Sequence, residues 1–314
     1  MKIGILGLGH IANSLCETIN KMDSNYELYA VASRDIIKSL EYKKKYNATK
    51  AYGSYLDLVK DDEVDLIYIA TINSLHYEHM RLCIEHKKNI LVEKPFTLNY
   101  SEAIEIEALA KKNNVFVAEA LWTSYMPFNN ILSDLLKNEV VKSFYGVFNV
   151  NVINHERINK KELGGGALLD LGIYPISFAL RLFGFSYKDI IINNMYFSNS
   201  NVDTHTDISI MYDDFEARCV CNCTKDYQSY VNIVTKNYRI YIDNAYNPTF
   251  IKVFNRKEVL VKEYNFNNLT GYEFEVMDCY NSIKDGLLEP RKWSHFKTLE
   301  LMHILDTINI KAMK

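Results

Sequence analysis

Ile3-Gly4-Ile5-Leu6-Gly7-Leu8-Gly9-His10-Ile11-Ala12 is the stretch that decides the fold. Ile3 to Leu6 is a short apolar run of strand type. Leu15, Cys16 and Ile19 then fall on one face of a helix. A strand, a glycine turn and a helix in that order are the context of a dinucleotide-binding fingerprint. Gly7 permits the tight turn, Gly9 lets the backbone approach a pyrophosphate, and Ala12 stands where the helix packs on the strand. The helix start at His10 and Ile11 then offers backbone N–H groups and a positive dipole end to phosphate.

Further along, Leu28–Ala32 reads as a second strand that ends in Ser33-Arg34-Asp35. A site for NAD would place an acid at the strand end for the ribose hydroxyl. A small hydroxyl and an arginine suit a 2′-phosphate instead, so the pattern favours NADP, with NAD as the alternative. Asp35 reads as the N-cap of a helix over Ile36–Tyr46. Val64–Ala70 is a buried strand that delivers Thr71 and Asn73 to the ligand edge of the sheet, ahead of a helix carrying His76 and His79. Those histidines are spaced to share a helix face, but no carboxylate or cysteine completes a metal site. Strand Ile90–Val92 ends in Glu93-Lys94-Pro95, which puts an acid and a base just beyond a core strand, where open α/β sheets bind ligands. Helix Ser101–Asn113 and strand Val115–Ala118 lead into Glu119-Ala120-Leu121-Trp122. Strands alternating with helices predict a doubly wound parallel sheet, a Rossmann domain over residues 1–121.

The rest changes character. Helix Asn129–Asn138 and the aromatic, alternating run Val140–Val152 precede a glycine-rich helix start at Gly164-Gly165-Gly166. From Ile190 to Tyr264 strand follows strand, and helices return at Phe274–Lys284 and Phe296–Ile310. The expectation is an α+β domain over residues 122–314 with a large, mainly antiparallel, open-faced sheet. Its many Tyr and Phe residues favour a homodimer or homotetramer through that open face. In Gly164–Pro175, Asp170 and Tyr174 are one helical turn apart and share a face, while the leucines point into packing. An acid and a phenol on an apolar helix suggest proton transfer. A Lys94 ammonium would stabilise a Tyr174 phenolate, and the pair would take a proton from a carbinol as hydride leaves it. The structural alternative is a capping acid and a half-buried aromatic. His155 and Arg157 read as facing water, with binding of a polar substrate as the other reading.

Among 314 residues, 36 basic and 39 acidic side chains leave a net charge of −3, which points to no nucleic-acid or membrane-surface partner. The N-terminus lacks a signal-peptide pattern, and no apolar run reaches the ~18 residues of a membrane span. Six cysteines follow no zinc or disulfide spacing. Cys219, Cys221 and Cys223 alternate on one strand face, where a metal site is conceivable and buried packing the simpler reading. The chain is expected to be cytoplasmic, with reduced thiols and no metal.

Together, Gly7-x-Gly9-x-x-Ala12, Glu93-Lys94-Pro95 and the Gly164–Tyr174 run resemble the glucose-fructose oxidoreductase/inositol dehydrogenase/MocA-type (Gfo/Idh/MocA) family over essentially the whole chain. Glu119-Ala120-Leu121-Trp122 and the Gly-Ala-Leu-Leu-Asp-Leu-Gly-Ile-Tyr run most resemble its dimeric dihydrodiol dehydrogenase and NADP-dependent D-xylose dehydrogenase subgroup. There tyrosine replaces the family's common catalytic histidine, as at Tyr174. The resemblance implies Lys94 and Tyr174 as catalytic, Asp170 as a substrate-orienting partner, and Trp122 near the nicotinamide. It implies an NAD(P)-dependent oxidoreductase acting on a sugar, polyol or vicinal diol. The alternatives on the same fold are a non-catalytic dinucleotide-binding regulator and a glycosidase that retains NAD. Lys87-Lys88-Asn89 departs from relatives, which have a glycine before that strand.

Overall fold

The computed structural model describes residues 1–244 and 246–312. These form two compact units: Met1–Tyr125 with Leu269–Met302, and Met126–Asn268 with the C-terminal residues from His303.

The first unit is built on a six-stranded sheet. Its strands are β1 (Lys2–Leu6), β2 (Glu27–Ala32), β3 (Lys50–Tyr52), β4 (Leu66–Ile69), β5 (Asn89–Glu93) and β6 (Val117–Ala120). The order is β3-β2-β1-β4-β5-β6, with every pairing parallel. The connecting helices are α1 (His10–Lys21), α2 (Ile36–Tyr46), α3 (Tyr55–Val59), α4 (His76–Glu85) and α5 (Tyr100–Asn113). Strand order reverses between β1 and β4, which opens the crevice where such sheets bind ligands. Local chemistry sets the helix starts. Asp35 accepts the Ile37 N–H at 2.9 Å, and Asn99 accepts the Glu102 N–H at 2.9 Å. Each cap contributes about 1 kcal/mol.

Two details differ from expectation. Strand β6 lies two residues later than the pattern suggests, so Glu119 is inside the strand and not on a loop. The first boundary falls at Tyr125, close to the expected residue 121, but the first unit also takes in Leu269–Met302. Helix α8 (Glu273–Lys284) returns to the first sheet, and its Val276 and Cys279 belong to the same core as Ile3, Ile5, Leu66, Tyr68 and Leu91. Periodicity identifies an apolar face but not which sheet it covers.

The second unit contains α6 (Phe128–Leu136), α7 (Ile173–Phe183) and the strands β7 (Val141–Asn149), β8 (Asp189–Phe197), β9 (Asp203–Met211), β10 (Glu216–Asn222), β11 (Tyr230–Thr235), β12 (Tyr238–Asp243), β13 (Phe250–Asn255) and β14 (Leu260–Asn265). They form one eight-stranded sheet of order β14-β13-β12-β11-β7-β10-β9-β8, antiparallel except for the β7–β10 pair. Strand alternation places Phe144, Ile233 and Ile240 in the core, with Phe144 against Phe178 of α7. Tyr145, Tyr230, Tyr241 and Phe250, all half-buried, form a ladder on the sheet with centroid spacings of 5.8, 5.7 and 6.1 Å. Cys219, Cys221 and Cys223 are free and buried, and burial raises their thiol pKa values, which makes them inert packing groups. No cluster among the described residues could hold a metal ion. The helical run Lys161–Phe183 is long and apolar enough to cross a membrane by length and composition, contrary to the expectation of no such run. A core helix passes the same test, and 89% of the run's most apolar window is buried.

Candidate functional site

In the first unit the glycine turn forms as expected. Gly7 has φ +94°, and its N–H donates to the Ala32 carbonyl at 3.0 Å. A Cβ there would come within 2.7 Å of Thr71, so only glycine closes this turn. Around Gly9 there is space, because a Cβ would meet only the Ala70 carbonyl at 3.9 Å. Gly9 caps α1 without a side-chain hydrogen bond. The donor set at His10 and Ile11 therefore fits a pyrophosphate.

At the end of β2, Asp35 is committed to capping α2. Ser33 Oγ accepts the Asp35 N–H at 3.1 Å, and Arg34 is exposed. Arg34 lies beside Tyr55 and His79, whose rings meet edge to face at 4.9 Å. Burial, with the Arg34 charge second, holds His79 down at about 4, so it is neutral at ordinary pH. His79 Nδ1 is 3.0 Å from Thr71 Oγ1. Arg34 is the cation of this cluster, and the adjoining Asp35 is taken up by the α2 cap. A cleft of about 350 Å³ flanks the cluster, lined by Tyr55, Tyr77 and His79 with Arg81 and the acids Glu78 and Glu85, and it does not include Lys94.

His76, expected to bind cofactor, has another job. It is fully buried, with Nδ1 2.8 Å from the Pro95 carbonyl and Nε2 3.1 Å from the Thr71 carbonyl. Two carbonyls would favour an imidazolium, but burial wins and pushes its pKa down to about 4. Neutral, the ring has one N–H and donates to only one of these carbonyls, yet both nitrogens face backbone oxygens and neither is left to reach a ligand. Asn73 opens the following turn and is buried.

Glu93 likewise serves the turn. It accepts a hydrogen bond from the buried Tyr68 hydroxyl and the Lys94 N–H at 3.2 Å. Behind it lies Glu275 on α8, fully buried, with neither carboxyl oxygen hydrogen-bonded among the described residues. Burial first, and then the nearby Glu93, raises its pKa, which favours the neutral acid at Glu275. Glu119 is the second buried acid. It accepts from the Phe96 N–H at 3.0 Å, Trp293 Nε1 at 3.0 Å and Thr298 Oγ1 at 3.1 Å. Desolvation outweighs these donors and pushes its pKa up to about 7. Trp122 stacks on Tyr272 at 4.4 Å and 21°. Tyr272, Glu275 and Tyr68 do not stand out in the sequence, because isolated aromatics and acids there carry no pattern.

In the second unit the glycine run is explained by packing. Gly166 has φ +112°, and a Cβ on it would meet Asp203 Oδ1 at 2.2 Å. Asp203 accepts the Leu168 N–H at 2.7 Å and Thr206 Oγ1 at 2.9 Å, capping from a distance the helical run that carries Asp170 and Tyr174. Burial raises Asp203 to about 6. Leu168–Gly172 is a π-turn leading into α7, a departure from the regular helix expected. Tyr174 is 8% exposed and edge-on to Phe148 at 5.3 Å, while Tyr246 stacks on Phe148 at 4.5 Å and lies 6.4 Å from Tyr174. Arg157, expected to face water, pairs with Asp170 through Nη1–Oδ1 at 2.9 Å and Nη2–Oδ2 at 3.4 Å. His155 is exposed.

Two family models match the chain. One, described as an oxidoreductase family with an NAD-binding Rossmann fold (GFO_IDH_MocA), covers residues 1–121, and the GFO/IDH/MocA C-terminal domain covers 139–245. Together they take up well over half of the chain. Trans-1,2-dihydrobenzene-1,2-diol dehydrogenase of Xenopus tropicalis is 29% identical over 300 residues, covering 92% of this chain and 91% of the relative. The enzyme of that name from Homo sapiens is 28% identical, with coverage of 92% and 90%. Among solved structures, the 3-ketoreductase KijD10 of Actinomadura kijaniata with NADP and TDP-benzene superposes with a TM-score of 0.88 at 18% identity, covering 99% and 97% of the two chains. Aldose-aldose oxidoreductase of Caulobacter crescentus with glycerol gives 0.88 at 17% identity, covering 100% and 97%. At these identities the structural likeness speaks for the fold.

Proposed function

The chain belongs to the Gfo/Idh/MocA oxidoreductase family, and from that premise we propose an NADP-preferring dehydrogenase that acts on a carbinol carbon of a vicinal diol, sugar or polyol. That it is an NAD(P)-dependent dehydrogenase or reductase follows from the family and its dihydrodiol dehydrogenase relatives. The finer reading has its own support. Arg34 stands exposed at the end of β2, with the neighbouring acid consumed as a helix cap. The KijD10 structure carries NADP. The relatives' substrate is a ring with adjacent hydroxyls.

The residues that would hold the dinucleotide are the Gly7–Gly9 turn with His10 and Ile11, then Ser33 and Arg34, Thr71 and Asn73, and Trp122. When bound, it supplies the acceptor or donor of hydride. Tyr174 takes the hydroxyl proton on oxidation and returns it on reduction. Lys94 supplies positive charge for the oxygen that becomes negative as the proton leaves. Glu93 and His76 hold the Lys94 turn. Asp170 orients the substrate. The observation that carries this assignment is Tyr174 itself, a nearly buried phenol among aromatic rings, one helical turn beyond a paired acid.

We further propose a homodimer or homotetramer through the open sheet, working in the cytoplasm. The test is turnover of aldoses, inositols and vicinal diols with NADP⁺ and with NAD⁺. Lys94→Ala and Tyr174→Phe should each lower turnover by ~10²–10⁴-fold while NADP⁺ binding persists. Near-normal rates in both variants would refute the assignment. NADP⁺ binding with no turnover of any substrate would instead favour a sensor.

A further inference from the structure

We infer that Arg157 is the residue that reads the substrate's second hydroxyl, and that Asp170 serves the reaction by holding Arg157. The inference rests on the carbinol-oxidising reading above. It adds the contact that tells a vicinal diol from a simple alcohol.

The two halves of the Asp170–Arg157 pair are unequally placed. The Asp170 side chain is 7% exposed and that of Arg157 is 41% exposed. A carboxylate that deep needs a cationic partner. One edge of the guanidinium answers it, and the exposure of the side chain leaves its other N–H donors accessible to a ligand. The placement is built into the backbone. Ile158, next in the chain, is fully buried, and its carbonyl accepts the Gly166 N–H at 2.9 Å. The Lys160 carbonyl accepts the Gly165 N–H at 3.0 Å. A Cβ at Gly165 would lie 2.3 Å from the Ile158 carbonyl oxygen, so only glycine lets this loop rest on the helix start. The run that begins the Asp170–Tyr174 segment is therefore also the seat of Arg157.

Charge then narrows the ligand. Asp170 neutralises the guanidinium, and Glu156 and Lys160 on the same loop neutralise each other. A carboxylate or phosphate would find no net positive charge and would face the Asp170 carboxylate. A neutral hydroxyl that accepts from the outer N–H groups gains a charge-assisted bond without that penalty. Beside Tyr174, Phe148 and Tyr246 offer flat apolar faces suited to the C–H side of a ring. The class that fits is a neutral cyclic compound with adjacent hydroxyls, a pyranose or a cyclic diol, in preference to phosphorylated or carboxylated sugars.

The test compares trans-cyclohexane-1,2-diol with cyclohexanol in wild type, Arg157→Gln and Arg157→Lys. Two quantities are read: kcat/KM with NADP⁺, and the dissociation constant of the diol from NADPH-loaded protein by calorimetry. Arg157→Gln should lose about ten- to hundred-fold on the diol and about tenfold less on the mono-alcohol, with KM and the dissociation constant rising together. Arg157→Lys, which keeps the charge but loses the planar fork, should fall between. Equal losses on both substrates, or a fall in kcat with diol binding unchanged, would overturn the role assigned to Arg157. A wild type that oxidises neither these nor any other alcohol would overturn the parent reading, and this inference with it.

Discussion

Replacing Glu119 with glutamine should change how the stability of the first unit depends on pH. The folded-state pKa of Glu119 is about 7 against an ordinary value of 4.5, because burial outweighs three hydrogen-bond donors. A raised pKa means that the folded protein keeps a proton the unfolded chain has lost. The stability this contributes is fully present below about pH 4.5 and is lost as pH rises through about 7. A tenfold change in proton affinity is worth ~1.36 kcal/mol, so the interval from 4.5 to about 7 corresponds to roughly 3 kcal/mol. Glutamine cannot titrate, so this component of the slope should vanish in Glu119→Gln. A constant offset of ~1–3 kcal/mol should accompany it, because an amide turns one donor towards groups that donate. Urea unfolding in steps between acid and mildly alkaline pH, across both values, reads the effect. Both tryptophans, Trp122 and Trp293, lie in the first unit, so their fluorescence follows the right part of the molecule. Other titrating groups are common to both proteins and cancel in the difference. Stability curves that run parallel across this range would refute a neutral Glu119 and require a carboxylate held by its three donors.

Two other expectations follow from the geometry. Arg34→Gln should weaken NADP⁺ binding by about ten- to hundred-fold while leaving NAD⁺ binding nearly unchanged, measured as the two Michaelis constants. Equal effects on both cofactors would remove Arg34 from the 2′-phosphate. The aromatic ladder on the second sheet should be covered by another copy of the chain, so Tyr241→Glu should shift a dimer or tetramer to monomer on a sizing column. A wild type that is already a clean monomer at micromolar concentration would reject that interface.

The parts of this molecule that can be read in advance are those governed by local periodicity. Strand, turn and helix from Ile3 to Ile19 follow from apolar spacing and two glycines, and Asp35 caps α2 as its position demands. The many strands after Ile190 follow from alternation. What cannot be read depends on partners far along the chain. Gly166 needs its conformation because Asp203 packs on it, and nothing near Gly166 reveals that. His76 looks like any polar residue at a helix start until the Thr71 and Pro95 carbonyls close on its two nitrogens. Arg157 resembles a solvated loop residue because its anchor is the burial of Ile158 and its partner is on another element. Glu119 reads as a loop residue because an acid masks a strand position, and Trp293 and Thr298, which bond its carboxyl, come from far along the chain.

The return of Leu269–Met302 to the first unit bears on how the protein is made. Val276 and Cys279 belong to the core beneath β1 and β4, and Trp293 and Thr298 supply two of the donors to Glu119. On a ribosome, which releases the chain from its N-terminus, the parallel sheet can align early but must wait for residues 269–302 before its interior is sealed. A nascent chain stalled short of residue 302 would show a nucleotide-binding half with bare apolar surface and an under-solvated acid, the kind of surface chaperones engage. Nucleotide-binding competence should therefore arrive only after the second unit's strands and residues 269–302 have been made.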